Sequence, residues 1–267
     1  MKKFMALLLV AGMTLSLTAC GGSTDTAKTD QADGKDTFTV GFDQDFPPFG
    51  YVGDDGEFTG FDIEMATECA ARMGKKIVLQ PIDWDAKDME LEAGTIDCIW
   101  NGFTMNGRED QYTWTDPYMD NSQVVVVKKD SGINTLADLA GKVVEVQKES
   151  AAETALNDEE HADLTASFAQ LLSVGEYNTA FMDLESGAVD AVAIDIGVAQ
   201  FQIEGKENQY QILDETISSE QYAVGFFLGN TALRDEVQST LSEMVEDGTF
   251  AEISNKYFGY DVCTLGK

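Results

Sequence analysis

The segment MELEAGTIDCI (residues 89–99) recurs as MDLESGAVDAV (residues 182–192), and this internal repeat bears most directly on the fold. Each copy has the pattern of a helix end, a glycine and a strand, because Gly94 and Gly187 can adopt the left-handed conformation that ends a helix and an apolar run follows. Chance similarity is the alternative, since such units are common. A true repeat predicts two similar α/β lobes whose repeated strands end at one cleft, where open α/β sheets bind ligands.

The sequence before the first copy alternates strand and helix in the same way. Residues 39–42 have strand character, apolar residues recur at helical spacing over residues 61–73, and residues 76–80 form a second strand. This alternation predicts an α/β layer with a largely parallel sheet.

The C-terminal part predicts two helices. Apolar residues from Leu233 to Val245 share one face of a helix that ends at Gly248. Thr249 and Glu252 have the spacing of a capping box at the start of the last helix.

The first residues have the pattern of an export signal. Lys2 and Lys3 precede an apolar run over residues 4–17, which is short for a membrane-spanning helix. We therefore expect a signal peptide over residues 1–19 and an exported protein.

The sequence LTACG (residues 17–21) resembles the lipobox of bacterial lipoproteins, in which the signal peptide is cut before a cysteine that carries lipid. This resemblance implies a lipid on Cys20 that anchors the protein to the outer face of the cell membrane. Residues 20–36 are polar and are expected to form a flexible tether. An ordinary signal peptide that contains a cysteine is the alternative.

The chain is strongly acidic, with 17 basic and 48 acidic residues and a net charge of −31. Such a surface repels nucleic acid and anionic lipid headgroups, although solubility alone also explains it. No later stretch has the ~20 apolar residues of a membrane-spanning helix. Cys69, Cys98 and Cys263 lack metal-like spacing; we expect neither a metal nor a cofactor, and the first two are expected to pack in the core.

Arg108 is the first candidate binding residue, because it lies in a glycine-containing turn (residues 101–108) directly after the first repeated strand. A guanidinium at the carboxyl edge of a sheet matches a carboxylate, with help from the Thr104 hydroxyl. A plain surface arginine is the alternative.

Asp195 ends the second repeated strand within an apolar run, where a carboxylate needs a partner. It is either a helix N-cap or the partner of a cationic ligand group, and with Arg108 it would then hold a zwitterion. Gln147 ends another predicted strand, and a helix start at Ser150 either attracts an anion or is simply capped by that serine.

Several motifs in order resemble the polar amino acid-binding proteins of ATP-driven importers. They are VGFDQDFPPF (residues 40–49), GFD (60–62), WD (84–85), Arg108, DPY (116–118) and residues 190–195. The resemblance covers residues 39–259, which is nearly all of the chain after the tether.

This resemblance implies a periplasmic-binding-protein-like fold, in which two α/β lobes joined by two hinge strands close on the ligand. It places the crossovers near residues 120–122 and 214–218. Lobe 1 then comprises residues 37–121 and 218–267, and lobe 2 comprises residues 122–217.

The resemblance also implies the role of each pocket residue. Arg108, Thr104 and the amides of Ser150 and Ala151 hold the α-carboxylate, and Asp195 holds the α-ammonium. The aromatic walls and the far end of the pocket complete the predicted binding set, which comprises Asp43, Phe46, Trp84, Asn101, Gly102, Thr104, Arg108, Gln147, Ser150, Ala151 and Asp195.

The expected function is extracellular capture of a free polar L-amino acid and its delivery to the permease of an ATP-driven importer by a monomer. Asp43 between two aromatic faces favours arginine or lysine, and the same groups suit glutamine, with cystine or histidine ranked behind. No catalytic residue is expected.

Two positions depart from the family pattern. The stretch from Thr104 to Arg108 is one residue shorter than usual, and Glu149 stands where many relatives have glycine. A carboxylate turned toward the anion site would weaken carboxylate binding.

Two other functions compete with binding for transport. An enzyme of the cyclohexadienyl or arogenate dehydratase kind can use the same fold, but the only histidine, His161, lies in a polar stretch away from the predicted pocket. An amino acid sensor is the second rival, although the chain carries no signalling domain.

Overall fold

Two mixed β-sheets with flanking helices form the two lobes of the protein. The structure, a computed structural model, describes residues 35–267. The predicted signal peptide, the lipidation site at Cys20 and nearly all of the tether lie outside these residues. The strands and helices are β1 Thr37–Phe42, β2 Asp45–Phe46, β3 Gly50–Val52, β4 Phe58–Thr59, α1 Phe61–Arg72, β5 Lys76–Pro81, α2 Lys87–Ala93, β6 Cys98–Ile99, β7 Thr113–Trp114, β8 Met119–Lys128, β9 Val143–Gln147, α3 Ala151–Leu156, α4 Ala162–Ser167, β10 Gln170–Val174, α5 Tyr177–Ser186, β11 Ala191–Asp195, α6 Ile196–Ile203, β12 Tyr210–Ile212, β13 Ser218–Tyr222, β14 Gly225–Phe226, α7 Thr231–Glu246 and α8 Thr249–Phe258.

The sheets are less uniformly parallel than the sequence predicted. The first sheet has the order β5-β1-β6-β14-β7 and the second has the order β10-β9-β11-β8-β12, with β13 also paired to β8. Only β5-β1-β6 and β10-β9-β11 are parallel. The other pairs are antiparallel because the chain passes from one sheet to the other and returns.

The two passages between the sheets are the neighbouring strands β8 and β13. They pair in antiparallel fashion over residues 119–123 and 218–222. The first predicted crossover, residues 120–122, lies inside β8, whereas β13 begins at Ser218, the last residue of the second predicted crossover. The exact lobe boundaries stay a prediction.

The internal repeat is a repeat of structure as well as of sequence. Gly94 ends α2 at φ 70° and Gly187 ends α5 at φ 82°, both in the left-handed conformation. Leu91 and Leu184, three residues earlier, are fully or nearly fully buried in their lobes.

The aspartates of the repeat also have matching partners. Asp97 bonds its amide to the Thr39 carbonyl at 2.7 Å and accepts from the Thr39 amide at 2.8 Å. Asp190 makes the same pair of bonds with Val143, at 2.9 Å each. Chance similarity is therefore excluded, and the repeat predicted the two lobes correctly.

The predicted capping box at α8 is wrong. Gly248 is the N-cap residue at φ 88°, and Thr249 is the first helical residue. The Asp247 carboxylate accepts from the Thr249 amide at 3.0 Å and from its hydroxyl at 2.7 Å, so the preceding turn supplies the acceptor that the box would have supplied.

The cores follow the predicted patterns. Leu233, Val237, Leu241 and Met244 form the buried face of α7. The three cysteines among the described residues are buried and unpaired, and burial raises the pKa of the Cys69 thiol to about 12. No helix within residues 35–267 combines the length and the apolar content that crossing a bilayer requires.

Candidate functional site

A cavity lies at the carboxyl ends of four parallel strands, two from each sheet. The empty space at this site, counted out to its opening to solvent, is about 290 Å³. All of the predicted binding residues line it: Asp43, Phe46, Trp84, Asn101, Gly102, Thr104, Arg108, Gln147, Ser150, Ala151 and Asp195. The structure thus brings the predicted set together; that the set binds a ligand stays a prediction.

The loop after β6 is fixed by a buried carboxylate that sequence reasoning used only as part of a motif. Asp62 is fully buried, accepts from the Gly102 amide at 2.5 Å and accepts from the Tyr118 hydroxyl at 2.9 Å. Gly102 adopts φ 57°, and a Cβ there would lie 3.1 Å from the Phe46 and Tyr222 rings. Residue 102 therefore needs to be glycine. Burial raises the pKa of the Asp62 carboxyl to about 7.

Arg108 spans the cleft between the two lobes. Its guanidinium donates to the Thr104 carbonyl and, across the cleft, to the Glu149 carbonyl, both at 3.2 Å. The guanidinium carbon lies 5.4 Å from the centre of the Phe103 ring. These contacts hold a half-buried arginine at the cavity wall, with further N–H groups left to bind an anion.

The helix start beside Arg108 serves first as a structural cap. The Ser150 hydroxyl accepts from the Glu153 amide at 3.0 Å, as an N-cap does. The Ser150 amide already donates to the Gln147 carbonyl at 3.2 Å. A ligand carboxylate would have to share or replace that long bond, whereas the first-turn amide of Ala151 has no partner within its own helix.

Glu149 points away from the cavity. Its backbone has φ 61°, the conformation that favours glycine, which explains the glycine of the family pattern at this position. Its side chain is 54% exposed and lies 3.6 Å from the buried Lys87 ammonium. Burial lowers the pKa of Lys87. The predicted repulsion between Glu149 and a ligand carboxylate is therefore weakened, because the Glu149 side chain is turned toward solvent and is paired with Lys87.

Asp195 occupies the N-cap position of α6 without using its side chain as a cap. One oxygen, Oδ1, accepts from Asn121 Nδ2 at 2.8 Å, from Gln123 Nε2 at 2.7 Å and from the Tyr222 hydroxyl. Burial, and then the charge of nearby Glu220, raise the pKa of Asp195 to about 7. The carboxylate at the strand end thus belongs to a buried polar network.

Glu220 is a second buried carboxylate in this network, and sequence reasoning missed it. Its Oε1 accepts from the Thr104 hydroxyl at 3.0 Å, from Asn121 Nδ2 at 2.7 Å and from Gln123 Nε2 at 2.8 Å. In the sequence, the one feature that could have pointed to Glu220 is a charged residue flanked by β-strand residues at the second crossover. Its partners lie about a hundred positions away, on β8 and on the loop after β6.

The opposite end of the cavity combines hydrogen-bond acceptors with aromatic faces. Asp43 accepts from the Asp45 amide at 2.8 Å and from Gln147 Nε2 at 2.6 Å, and burial raises its pKa to about 6. Asn101 Oδ1 is buried with no partner among the described residues. Phe46 and Trp84 also line this space, and Trp84 packs edge-on to Phe103 at 5.5 Å.

His161 does not line the cavity, and the described residues form no metal-binding cluster. His161 lies in a short turn, residues 159–161, outside the lining residues. Residues 35–267 contain no cluster of side chains able to hold a metal ion.

Comparisons with known proteins agree with this fold. The sequence model of the bacterial extracellular solute-binding proteins, family 3, matches residues 38–260. The L-cystine-binding protein TcyJ of Escherichia coli K12 is 31% identical over 97% of this chain and 94% of its own length. The arginine-binding extracellular protein ArtP of Bacillus subtilis is 28% identical over 97% and 98%.

A solved structure shows the same fold. The substrate-binding protein of an ABC uptake transporter from Streptococcus pneumoniae, with bound histidine, superposes with a TM-score of 0.82 at 36% identity. The match covers 86% of this chain and 95% of that one. The two relatives are named as binding proteins for L-cystine and for arginine, and the solved structure holds histidine. Because the model of a solute-binding family matches most of the chain, the chain is a binding protein and not an enzyme.

Proposed function

Because this chain belongs to the bacterial extracellular solute-binding proteins of family 3, we propose that it captures a free polar L-amino acid outside the cell and delivers it to the permease of an ATP-driven importer. A lipid on Cys20, in the part of the chain outside the described residues, would keep the monomer at the membrane. Arginine and lysine are the first candidate ligands, and glutamine is the next.

One observation carries this proposal. Arg108 and Asp195 come from different lobes and line one small cavity. A half-buried guanidinium and a buried carboxylate on the same cavity match the two charged groups that every free amino acid carries. In a peptide, an internal residue carries neither group and a terminal residue carries only one of them, so the pair selects free amino acids.

The charge balance supports a cationic side chain. Asp43 and Asp195 give the lining residues two carboxylates against the single guanidinium of Arg108. A zwitterion with an additional positive group neutralises all three, and the rings of Phe46 and Trp84 favour that group by cation–π contact. Glutamine would offer the same acceptors two amide hydrogens but would leave one carboxylate uncompensated.

A thermal-shift screen of the purified protein against the twenty common amino acids and cystine tests the proposal. A ligand at 100 times its Kd stabilises the folded state by ~2.7 kcal/mol, which raises the Tm of a protein of this size by roughly 5–10 °C. We expect the largest shift with arginine or lysine. A shift with cystine or histidine alone would retain the transport function and reject the ranking, whereas no shift with any amino acid would reject the function.

A further inference from the structure

Asp195 and Glu220 form a pair of buried carboxylates that share their hydrogen-bond donors. Asn121 and Gln123 each place one amide nitrogen within 2.7–2.8 Å of both carboxylates. An amide nitrogen has two hydrogens, so each can donate to both acids at once. The two carboxylates are therefore no more than two hydrogen-bond lengths apart, and they are only 4% and 6% exposed.

Each carboxylate also has an oxygen that the described residues leave without a donor. All of the bonds to Asp195 reach Oδ1 and all of those to Glu220 reach Oε1. Asp195 lines the cavity, and so does Thr104, which donates its hydroxyl hydrogen to Glu220. The Thr104 oxygen can then only accept a hydrogen bond from a ligand, which suits an ammonium and not the α-carboxylate that the resemblance assigned to Thr104. Glu220 sets that orientation.

The surroundings supply no cation in direct contact with either carboxylate. Neither forms an ion pair within the part of the chain that the structure describes. The titratable groups facing them are the Tyr222 hydroxyl on β13, the Tyr177 hydroxyl on α5 and, at the other wall of the cavity, Arg108. Two buried like charges this close do not both ionise without a compensating cation.

We propose, on the basis of the proposed function, that Asp195 and Glu220 together hold one proton when no amino acid is bound, and that the ligand α-ammonium displaces this proton into solvent. Glu220 is then a positioning residue of the ammonium site: it orients Thr104 and determines the proton occupancy of Asp195. Binding of a neutral zwitterion releases one proton, and affinity falls when acid protonates the pair. Burial and mutual repulsion, which raise the pKa of Asp195, support this order of events.

Calorimetric titration tests the proposal through the proton that leaves. The probes are L-arginine and L-glutamine, titrated at pH 6 in buffers with different ionisation enthalpies, so that the buffer dependence of the heat gives the number of protons released. We expect about one proton per ligand in the wild type and an affinity that falls about tenfold per pH unit below the midpoint. In Glu220→Gln we expect a smaller release at pH 6 and a lower midpoint, because burial alone then raises the pKa of Asp195, whereas Glu220→Asp should keep the wild-type pattern.

Two controls separate this proposal from its alternatives. Glu252→Gln alters an exposed glutamate on α8 and should leave both measurements unchanged. Asp43 also titrates in this range, but it contributes equally to the wild type and to Glu220→Gln, so the difference between them reports on the pair. Equal proton release in those two proteins would overturn the proposal while leaving amino acid binding intact.

If neither probe binds, the proposed function fails but the proton on the carboxylate pair can still be measured. That measurement needs no ligand. The infrared carbonyl band of protonated carboxyl groups is followed from pH 5 to pH 8 in the unliganded protein. We expect the Glu220→Gln band at pH 6 to be weaker than that of the wild type and its midpoint to lie at a lower pH. Bands of equal intensity and midpoint would overturn the shared proton.

Discussion

At the scale of single residues, Asp62 shows how a buried carboxylate can shape a site that it does not line. It holds the Gly102 amide in place at 2.5 Å and accepts from Tyr118, and its pKa is raised from 3.8 to about 7 by burial. In the folded protein it therefore stays protonated at pH values where the unfolded chain has ionised. Its contribution to stability is complete below about pH 4 and is lost as the pH rises through 7.

Asp62→Asn should remove this pH dependence. Between pH 5 and pH 8 the wild type should lose on the order of 2 kcal/mol of unfolding free energy on account of Asp62 alone, and the asparagine variant should not. Urea denaturation at the two pH values measures the difference, and Asp54→Asn in the exposed turn after β3 is the control. A gap between wild type and Asp62→Asn that is the same at both pH values would contradict this account.

Sequence reasoning identified the residues at the cavity wall and missed those behind it. Arg108 and Asp195 stand out because a charge follows an apolar strand, a pattern that is visible locally. Glu220, Asn121 and Gln123 lie on two strands that pair across almost one hundred residues. Their meeting depends on strand register, which no local pattern encodes.

At the scale of elements, the repeat predicted both helix–glycine–strand units because each of its signals acts within a few residues. The last helix shows the opposite case: Thr249 and Glu252 have the right spacing, but Asp247, in the turn just before the helix, supplies the acceptor. Several local partners can satisfy the same free amides of a helix start, and spacing alone does not decide among them.

The junction between β9 and α3 carries a strained residue, and this leads to a prediction about stability. Glu149 at φ 61° adopts a conformation that costs a non-glycine residue roughly 1 kcal/mol or more. Its ion pair with Lys87 is largely exposed on the Glu149 side and contributes little. Glu149→Gly should therefore be about 1 kcal/mol more stable than Glu149→Ala in urea denaturation of the unliganded protein.

Alanine is the matched comparison because it removes the same charge and keeps the strain. A glycine variant that is less stable than the alanine variant would show that the backbone at residue 149 is not strained in solution.

The shorter loop from Thr104 to Arg108, the other departure from the family pattern, is accommodated by local bonds, since the Arg108 amide donates to the Met105 carbonyl at 2.9 Å.

At the scale of the whole molecule, polar contacts join the two lobes around the cavity. Gln147 donates to Asp43 at 2.6 Å, Lys148 pairs with Asp85 at 2.7 Å and Arg108 donates to the Glu149 carbonyl. Several of these groups also line the cavity, so ligand binding and lobe closure draw on the same side chains. The sequence predicted that two lobes exist, but their contacts depend on how far the lobes close, which is a property of the folded molecule.

The proposed function depends on one assignment: Arg108 binds the carboxylate of the zwitterion and Asp195 binds its ammonium group. The most direct test is a calorimetric cycle with the amino acid found in the thermal-shift screen and its decarboxylated analogue, which for arginine is agmatine, on the wild type and on Arg108→Ala. Loss of the ligand carboxylate should weaken binding to the wild type at least a hundredfold but weaken binding to Arg108→Ala less than tenfold, because a close charge pair couples by roughly 1.5–7 kcal/mol. Equal discrimination between the two ligands by both proteins would contradict the assignment of Arg108 to the ligand carboxylate.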